Sequence, residues 1–384
     1  MLPLAGIKVL EFAQNLAGPF AAGILSQLGA DVVKVERASG DDARGWGPPF
    51  IDGDSGPFHA VNLEKRSIVL DLTDPAAVEW LKSYITDVDV VVQNLKPGAV
   101  ERLGIDAASL QAINPRLIYC SLSAFGRDGP RRLEPGYEPM VQAFSGLMMV
   151  NGQDGGPPIR TGVPMLDMGS AMWAAIGILG ALYRRVETGR GTVVDTSLFE
   201  TALSWLRIHF SRYQADGTMP PRHPTGSAVL VVFQAFETKT GPVVIAAAND
   251  RLFAKLSHIV GRPEWAEDPR FANNAGRKEH RQEIIGAIEA IMISESRGHW
   301  LDKFDAAGVP CAPINTMIEA LDDPQAAATG MMQSVPNLGS PMMGLPLSFD
   351  GERPSIRGRA PAIGEHSDEI RAEAAKRQKA AGDC

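Results

Sequence analysis

Cysteine is scarce: the 384 residues contain three, Cys120, Cys311 and Cys384, with no paired spacing. A disulfide framework is therefore not expected, and a reducing, cytoplasmic setting fits. CxxC, HExxH and clustered His/Asp/Glu sets are missing, so no metal is expected. Positive charge is not in excess. The formal net charge of −8 argues against nucleic acid, because binding phosphate backbones calls for a basic face. No uninterrupted run of about 18 apolar residues exists to span a bilayer. The opening MLPLAGIKVLEF has no basic region followed by an apolar run, so neither a membrane partner nor a secretory signal is expected. The first strand–helix turn, Asn15-Leu16-Ala17-Gly18-Pro19, lacks the GxGxxG fingerprint of a dinucleotide dehydrogenase.

What is present is a globular composition, with 45% apolar residues and length for about two domains. Residues 7–12 (IKVLEF) read as a buried strand, 20–29 as a helix and 31–37 (DVVKVER) as a second strand, a β-α-β unit. Residues 65–72, 88–94 and 116–126 are further strands, and 74–86 is a helix with an Asp-Pro start. The alternation predicts α/β: a mostly parallel sheet with helices on both faces. The middle of the chain is loop-rich up to a helix expected over 168–189. A Pro-rich stretch around 219–225 reads as a linker to a small α+β domain over 226–318, with a hairpin at 232–250. The large domain is expected from 1–218 and 319–384, and the tail ends in an Ala/Lys-rich helix.

In a doubly wound fold the first strand–helix turn is where nucleotides bind, because helix N-terminal N–H groups attract phosphate. Glu36 lies where a ribose-binding acid would sit, and Arg37 could face an adenine or a phosphate. Both read more simply as the polar end of a strand. Asp167 sits where an N-cap would sit, and capping is one complete account of it. The other uses the same position: a carboxylate at a helix start stays ionised, and an ionised carboxylate can attack a thioester carbonyl. Gly169 beside it would let a substrate approach closely.

Nearly the whole chain resembles family III CoA-transferases (the CaiB/BaiF family). The resemblance is carried in order by LAGIKVLEFAQNLAGPFAAGILSQLGADVVKVER, SGDDARGW, KRSIVLDL, QNLKPGAVERLG, NPRLIYCSLSAFGRDGP, PGYEPMVQAFSGLM, GVPMLDMGSAMWAAIGILGALYRRVETGRG, AGVPCAPINTMIEALDDP and APAIGEHSDEI. It implies a Rossmann-like large domain from both chain ends, a small domain between them, and two chains threaded through each other as an interlocked homodimer. It implies that Asp167 is the catalytic nucleophile. It implies CoA-binding positions at Ala17, Gly18, Arg37, Leu70, Asn94, Leu95, Lys96 and Arg102, with Tyr137 and Glu138 matching the mid-chain transferase motif. CoA and acyl-CoA are then substrates rather than tightly bound cofactors, and a free carboxylic acid is the acceptor.

Two other functions compete with CoA transfer. A 2-methylacyl-CoA racemase, as the related branch of this resemblance, carries a His after a glycine in the mid-chain motif for acid/base work at the alpha carbon. Here the motif reads Gly136-Tyr137-Glu138, and none of the seven histidines occupies it. A catalytically silent CoA-binding subunit is the second, and the intact Asp167 speaks against it. Formyl-CoA and oxalate are not expected as substrates, because Leu16 stands where formyl-CoA transferases carry glutamine and a short PPRHPTGSAVL replaces their poly-glycine loop. Arg131, Arg132, Arg160 and Arg222 are candidates for gripping an acceptor carboxylate, or are plain surface arginines.

Overall fold

A computed structural model of the chain describes residues 1–382, so Cys384 lies outside the described residues. The chain divides into two compact units. One comprises Met1–Ser145, Gly162–Trp205 and the segment from Pro324 onward; the other comprises Gly146–Thr161 and Leu206–Asp323.

The first unit is built on strands β1 (Lys8–Glu11), β2 (Asp31–Glu36), β5 (Arg66–Val69), β6 (Val90–Gln93), β7 (Ile118–Ser123) and β8 (Val193–Ser197); a small hairpin supplies β3 (Phe50–Ile51) and β4 (Asp54–Ser55). The six strands form one sheet in the order β5-β2-β1-β6-β7-β8. Every pairing in it is parallel. Counted among themselves the strands run 3-2-1-4-5-6, the doubly wound order, whose direction reverses between β1 and β6. Because both faces are covered, the strands are rich in apolar residues, and in β6 Val90, Val91 and Val92 are all fully buried.

The helices of this unit are α1 (Ala17–Gln27), α2 (Gly56–Asn62), α3 (Pro75–Tyr84), α4 (Ala99–Leu103), α5 (Ala107–Ile113), α6 (Glu138–Phe144), α7 (Met165–Thr188) and α8 (Leu198–Trp205). On one face Val9, Val32, Val92 and Ile118 pack against Ala21 and Leu25 of α1 and Ala174 and Ile178 of α7. On the other, Leu10, Val33, Ile68 and Val91 pack against Leu81 of α3 and Ile370 of the C-terminal helix Ser367–Gly382. The 24 residues of α7 contain a window of mean hydropathy 1.5, enough by length and composition to cross a membrane. Its small residues Ala171, Ala174 and Ala181 are instead built into the core under the sheet.

The start of α7 also corrects the sequence reading. The Met168 amide donates to the Pro164 carbonyl at 3.0 Å, so the helix begins three residues before the expected 168. Pro164, with its ring-fixed φ, holds the N-cap position without a side-chain cap. Asp167 is therefore the third helical residue and not the N-cap.

In the second unit β9 (Phe233–Phe236), β10 (Val243–Ala246) and β11 (Cys311–Pro313) form an antiparallel sheet in the order β11-β10-β9. Helices cover it around Phe236, Ile245, Phe253, Leu256, Ile288 and Phe304. The unit boundaries differ from those read off the sequence, since α9 (Arg207–Asp216) and the 219–225 stretch belong to this unit. Arg222 shows why 146–161 does too. Its guanidinium donates to the carbonyls of Asn151 at 3.3 Å, Pro157 at 2.9 Å and Gly156. The Pro-rich stretch is thereby tied down, which a free linker would not be.

Candidate active site

The turn between β1 and α1 leaves the carboxyl edge of the sheet where strand order reverses, the position at which open α/β sheets bind ligands. Its backbone is held from outside at five atoms. The Asn94 side chain accepts from the Gln14 amide and donates to the Gln14 carbonyl, both at 2.8 Å. The Asp41 carboxylate accepts from the Asn15 amide at 3.0 Å. The Lys34 ammonium donates to the Ala13 carbonyl at 2.9 Å, and that of Lys65 to the Pro19 carbonyl at 2.7 Å. Asn15 takes a left-handed φ of 66°, which Asn tolerates better than most residues. Gly18 admits no side chain: a Cβ there would stand 2.3 Å from the Ala13 Cβ and 3.3 Å from the Asn94 Cγ.

Beneath this turn lies a cluster of four buried charges that sequence reasoning did not single out. Lys34 pairs with Glu11 at 2.9 Å and Asp41 at 2.8 Å, and Lys65 pairs with Glu11 at 2.6 Å. The one available signal was polar: Glu11 and Lys34 interrupt otherwise apolar strands and face each other in register. Burial works to lower Lys34, but Glu11 and Asp41 outweigh it and hold the ammonium above its ordinary value. Burial dominates at Lys65 and, helped by the charge of Lys34 and opposed by Glu11, lowers it to about 8. The unfolded chain therefore carries more protons than the folded one between about pH 8 and 10.5, and this group adds stability as pH rises through that window. The thermal stability of wild type relative to Lys65→Met should accordingly increase from pH 7.5 to pH 10; a flat difference would refute the assignment.

The other expected positions distribute around the same edge. Arg37 follows β2, exposed, with its guanidinium on the Gly40 carbonyl at 3.0 Å and on Asp42. Asn94 and Leu95 follow β6, the Leu95 amide being fixed by Gln93 at 2.8 Å. Lys96 and, on α4, Arg102 are exposed. Ala17 and Gly18 are the first two residues of α1, where amides have no helical partner. Leu70 departs from expectation: its side chain is 3% exposed and sits in the core, so only its backbone faces the edge. Glu36 departs further. It accepts from Arg44 at 2.8 and 2.6 Å, from Ser67 at 2.7 Å and from the Asp41 amide at 3.0 Å, which leaves no oxygen for a ribose. Burial alone would raise its carboxyl, but the Arg44 hydrogen bonds and the charges of Lys34 and Arg44 hold it low.

Asp167 stands at the carboxyl edge as well. Ser170, one turn on, donates from its hydroxyl to the Leu166 carbonyl at 2.7 Å and the Ser197 carbonyl, the end of β8, at 3.2 Å. At the far end of the helix Arg185 bonds Arg116 and Asp89 at the start of the strands. Half-buried in the first turn, Asp167 lies in the positive end of the helix dipole. Gly169 does not open a path for a substrate, because the Trp205 ring fills that space, 2.3 Å from where a Cβ would be. Tyr137 and Glu138 begin α6 beyond β7: Tyr137 is exposed, while Glu138 is buried and accepts from Gln142. Gly136 seats this segment against Ala124, just past the end of β7. Among the arginines, Arg131 lies over the Phe144 ring at 4.5 Å and pairs with Glu134 at 2.6 Å, and Arg222 is engaged by carbonyls. Among the described residues no group of three or more His, Cys, Asp or Glu could hold a metal.

Known proteins place this arrangement. The family model described as CoA-transferase family III matches residues 4–367. The acetyl-CoA:oxalate CoA-transferase of Acetobacter aceti is 37% identical over 374 residues, 97% of this chain and 95% of the relative. The succinyl-CoA:glutarate CoA-transferase of Mus musculus is 33% identical over 374 residues, 96% and 86% of the two chains. A solved CaiB/BaiF family protein from Brucella suis superposes with a TM-score of 0.88 at 37% identity, covering 97% of this chain and 99% of its own. With a doubly wound sheet and a match that runs nearly end to end, the chain belongs to CoA-transferase family III and transfers CoA from an acyl-CoA to a carboxylic acid.

Proposed function

We propose that Asp167 carries the transfer as a covalent nucleophile. The supporting observation is its place in the first turn of α7, on the same sheet edge as the β1–α1 turn. The ionised Asp167 oxygen attacks the thioester carbon, the C–S bond breaks, and CoA leaves as thiolate from a mixed anhydride. The thiolate then attacks the Asp167 carbonyl and expels the donor acid, leaving an aspartyl-CoA thioester. The acceptor carboxylate attacks that thioester, the C–S bond breaks with release of CoA thiolate, and a second anhydride forms. CoA takes the new acyl group, and the Asp167 carboxylate is restored. CoA lies along the carboxyl edge, with its phosphates toward the α1 N-terminus and Arg37, Lys96 and Arg102. Leu95 flanks it, and Tyr137 and Glu138 border the reacting end.

The relatives' named acceptors, glutarate and oxalate, support a short dicarboxylic acid as acceptor here. Leu16 ranks oxalate below the longer acids. A panel of acyl-CoA donors against mono- and dicarboxylic acids, read by mass spectrometry of the CoA products, tests this; exchange only at the alpha carbon, without new thioesters, would refute it. Arg37→Ala should weaken CoA binding roughly tenfold and make it less salt-sensitive, as loss of one phosphate contact does. Calorimetric titration at two ionic strengths checks both, and an unchanged affinity would remove Arg37 from the groove.

The homodimer belongs to the same proposal, with two chains interlocked. On α7 a face bearing Met172, Trp173, Ile176, Tyr183 and Val186 is exposed within its own unit. That is more apolar surface than a helix normally leaves to water, and it supports a second chain packing there. Sedimentation should give twice the chain mass at nanomolar concentration; a compact, active monomer would overturn this. Free Cys120 and Cys311 suit a reducing cytoplasm.

A further inference from the structure

We propose that Lys65, acting with Lys34 through Glu11, is a positioning residue that sets the shape of the β1–α1 turn for CoA. The proposal rests on the reading that CoA binds this turn. Each ammonium has three donors; all three of Lys65 find acceptors, and Lys34 makes two hydrogen bonds and one ion pair. Lys65 reaches Glu11 at 2.6 Å, the Pro19 carbonyl at 2.7 Å and the Asn62 side chain at 2.9 Å. Lys34 reaches Glu11 at 2.9 Å, the Ala13 carbonyl at 2.9 Å and Asp41 at 2.8 Å. The two lysines thereby fix the carbonyls at the two ends of the turn, one on each side of Gly18. Glu11 and Asp41 balance their charges, and Asp41 also fixes the Asn15 amide within it at 3.0 Å.

A sheet does not need this. Apolar residues at these positions would fill the core without the cost of desolvating four charges, and such replacements are often neutral or stabilising. What the cluster supplies is direction. It ties Pro19 in α1 to Asn62 at the end of α2 and to Glu11 at the end of β1, and so sets where the first amides of α1 point. Gly23 allows α1 to close on α2, since a Cβ there would meet the Val61 carbonyl at 2.7 Å. Lys65 is fully buried and can touch neither substrate nor Asp167, so it acts only through the turn.

Lys65→Met keeps the length of the side chain and removes its donors. The full chain should then bind CoA about tenfold more weakly, while the single-turnover rate at saturating acyl-CoA stays within about twofold of wild type. Amide exchange should quicken at residues 14–19. Lys65→Gln, which retains a donor, should fall between the two in CoA affinity. An unchanged CoA affinity in Lys65→Met would overturn the proposal, and so would a loss confined to the saturated rate. If neither variant folds, the lysine is structural and the proposal fails. Arg37→Ala separates this from the underlying reading: if Arg37→Ala weakens CoA and Lys65→Met does not, only the positioning role falls; if both leave CoA unaffected, the groove is misplaced.

Discussion

Asp167→Ala is expected to lower the turnover of CoA transfer by about 10³-fold or more, because removing a covalent nucleophile removes the only route to both enzyme-bound intermediates. The fold should survive. Asp167 is the third residue of α7 and the N-cap is Pro164, so no cap is lost. The charge in the first turn contributes about 0.3–1 kcal/mol, and losing a polar contact of the carboxylate costs about 0.5–1.5 kcal/mol more. Thermal unfolding of the variant should therefore stay within a few degrees of wild type. Asp167→Asn should be as inactive as Ala, since an amide matches the carboxylate in size but not as a nucleophile. A variant that retained near wild-type turnover would end the nucleophile assignment, and one that unfolded would return Asp167 to a structural role.

Gly18→Ala is expected to damage both stability and CoA binding. The added Cβ would lie 2.3 Å from the Ala13 Cβ, and an atom fixed to the backbone cannot swing away. The turn has to move, at an overpacking cost of about 1–3 kcal/mol. Movement would break the Asn94 clamp on Gln14, and CoA affinity should fall by more than about tenfold. Gly286→Ala is the matched control, since it lies on a helix with open space around it and should be neutral or stabilising by about 0.4–1 kcal/mol. Calorimetric unfolding and CoA titration of both variants would separate the outcomes. Equal behaviour of the two would mean that the turn is not sterically set.

Much of the first unit was legible because a parallel sheet buries both faces and writes itself as short apolar runs. IKVLEF, DVVKVER and VDVVVQN contain strands β1, β2 and β6, and the hairpin near 232–250 also appears. The start of α7 was not legible, because GVPMLD carries Gly and Pro and reads as loop although Pro164 opens the helix. Polar partnerships were hidden for a different reason. Glu36 shows in the sequence only as a polar strand end, because its partners Arg44 and Ser67 lie 8 and 31 residues away and meet it only when the sheet forms. Lys65 is 54 residues from Glu11. Gly169 was misread because a glycine that admits a ligand and one that admits a tryptophan look alike until Trp205 is in place. Asp167 itself was visible by resemblance, whereas its distance from the N-cap needed the backbone.

The covalent role of Asp167 can be read most directly from isotope transfer. An acceptor acid labelled with ¹⁸O in its carboxylate should leave label in the Asp167 side chain after turnover, because the acceptor oxygen that forms the second anhydride stays on the aspartate when CoA takes the acyl group. Fragment mass spectrometry of the peptide spanning Met165–Ser170 should place the heavy oxygen on Asp167, and only when acyl-CoA is also present. Full turnover with no label on Asp167, or with label on another carboxylate, would contradict the account.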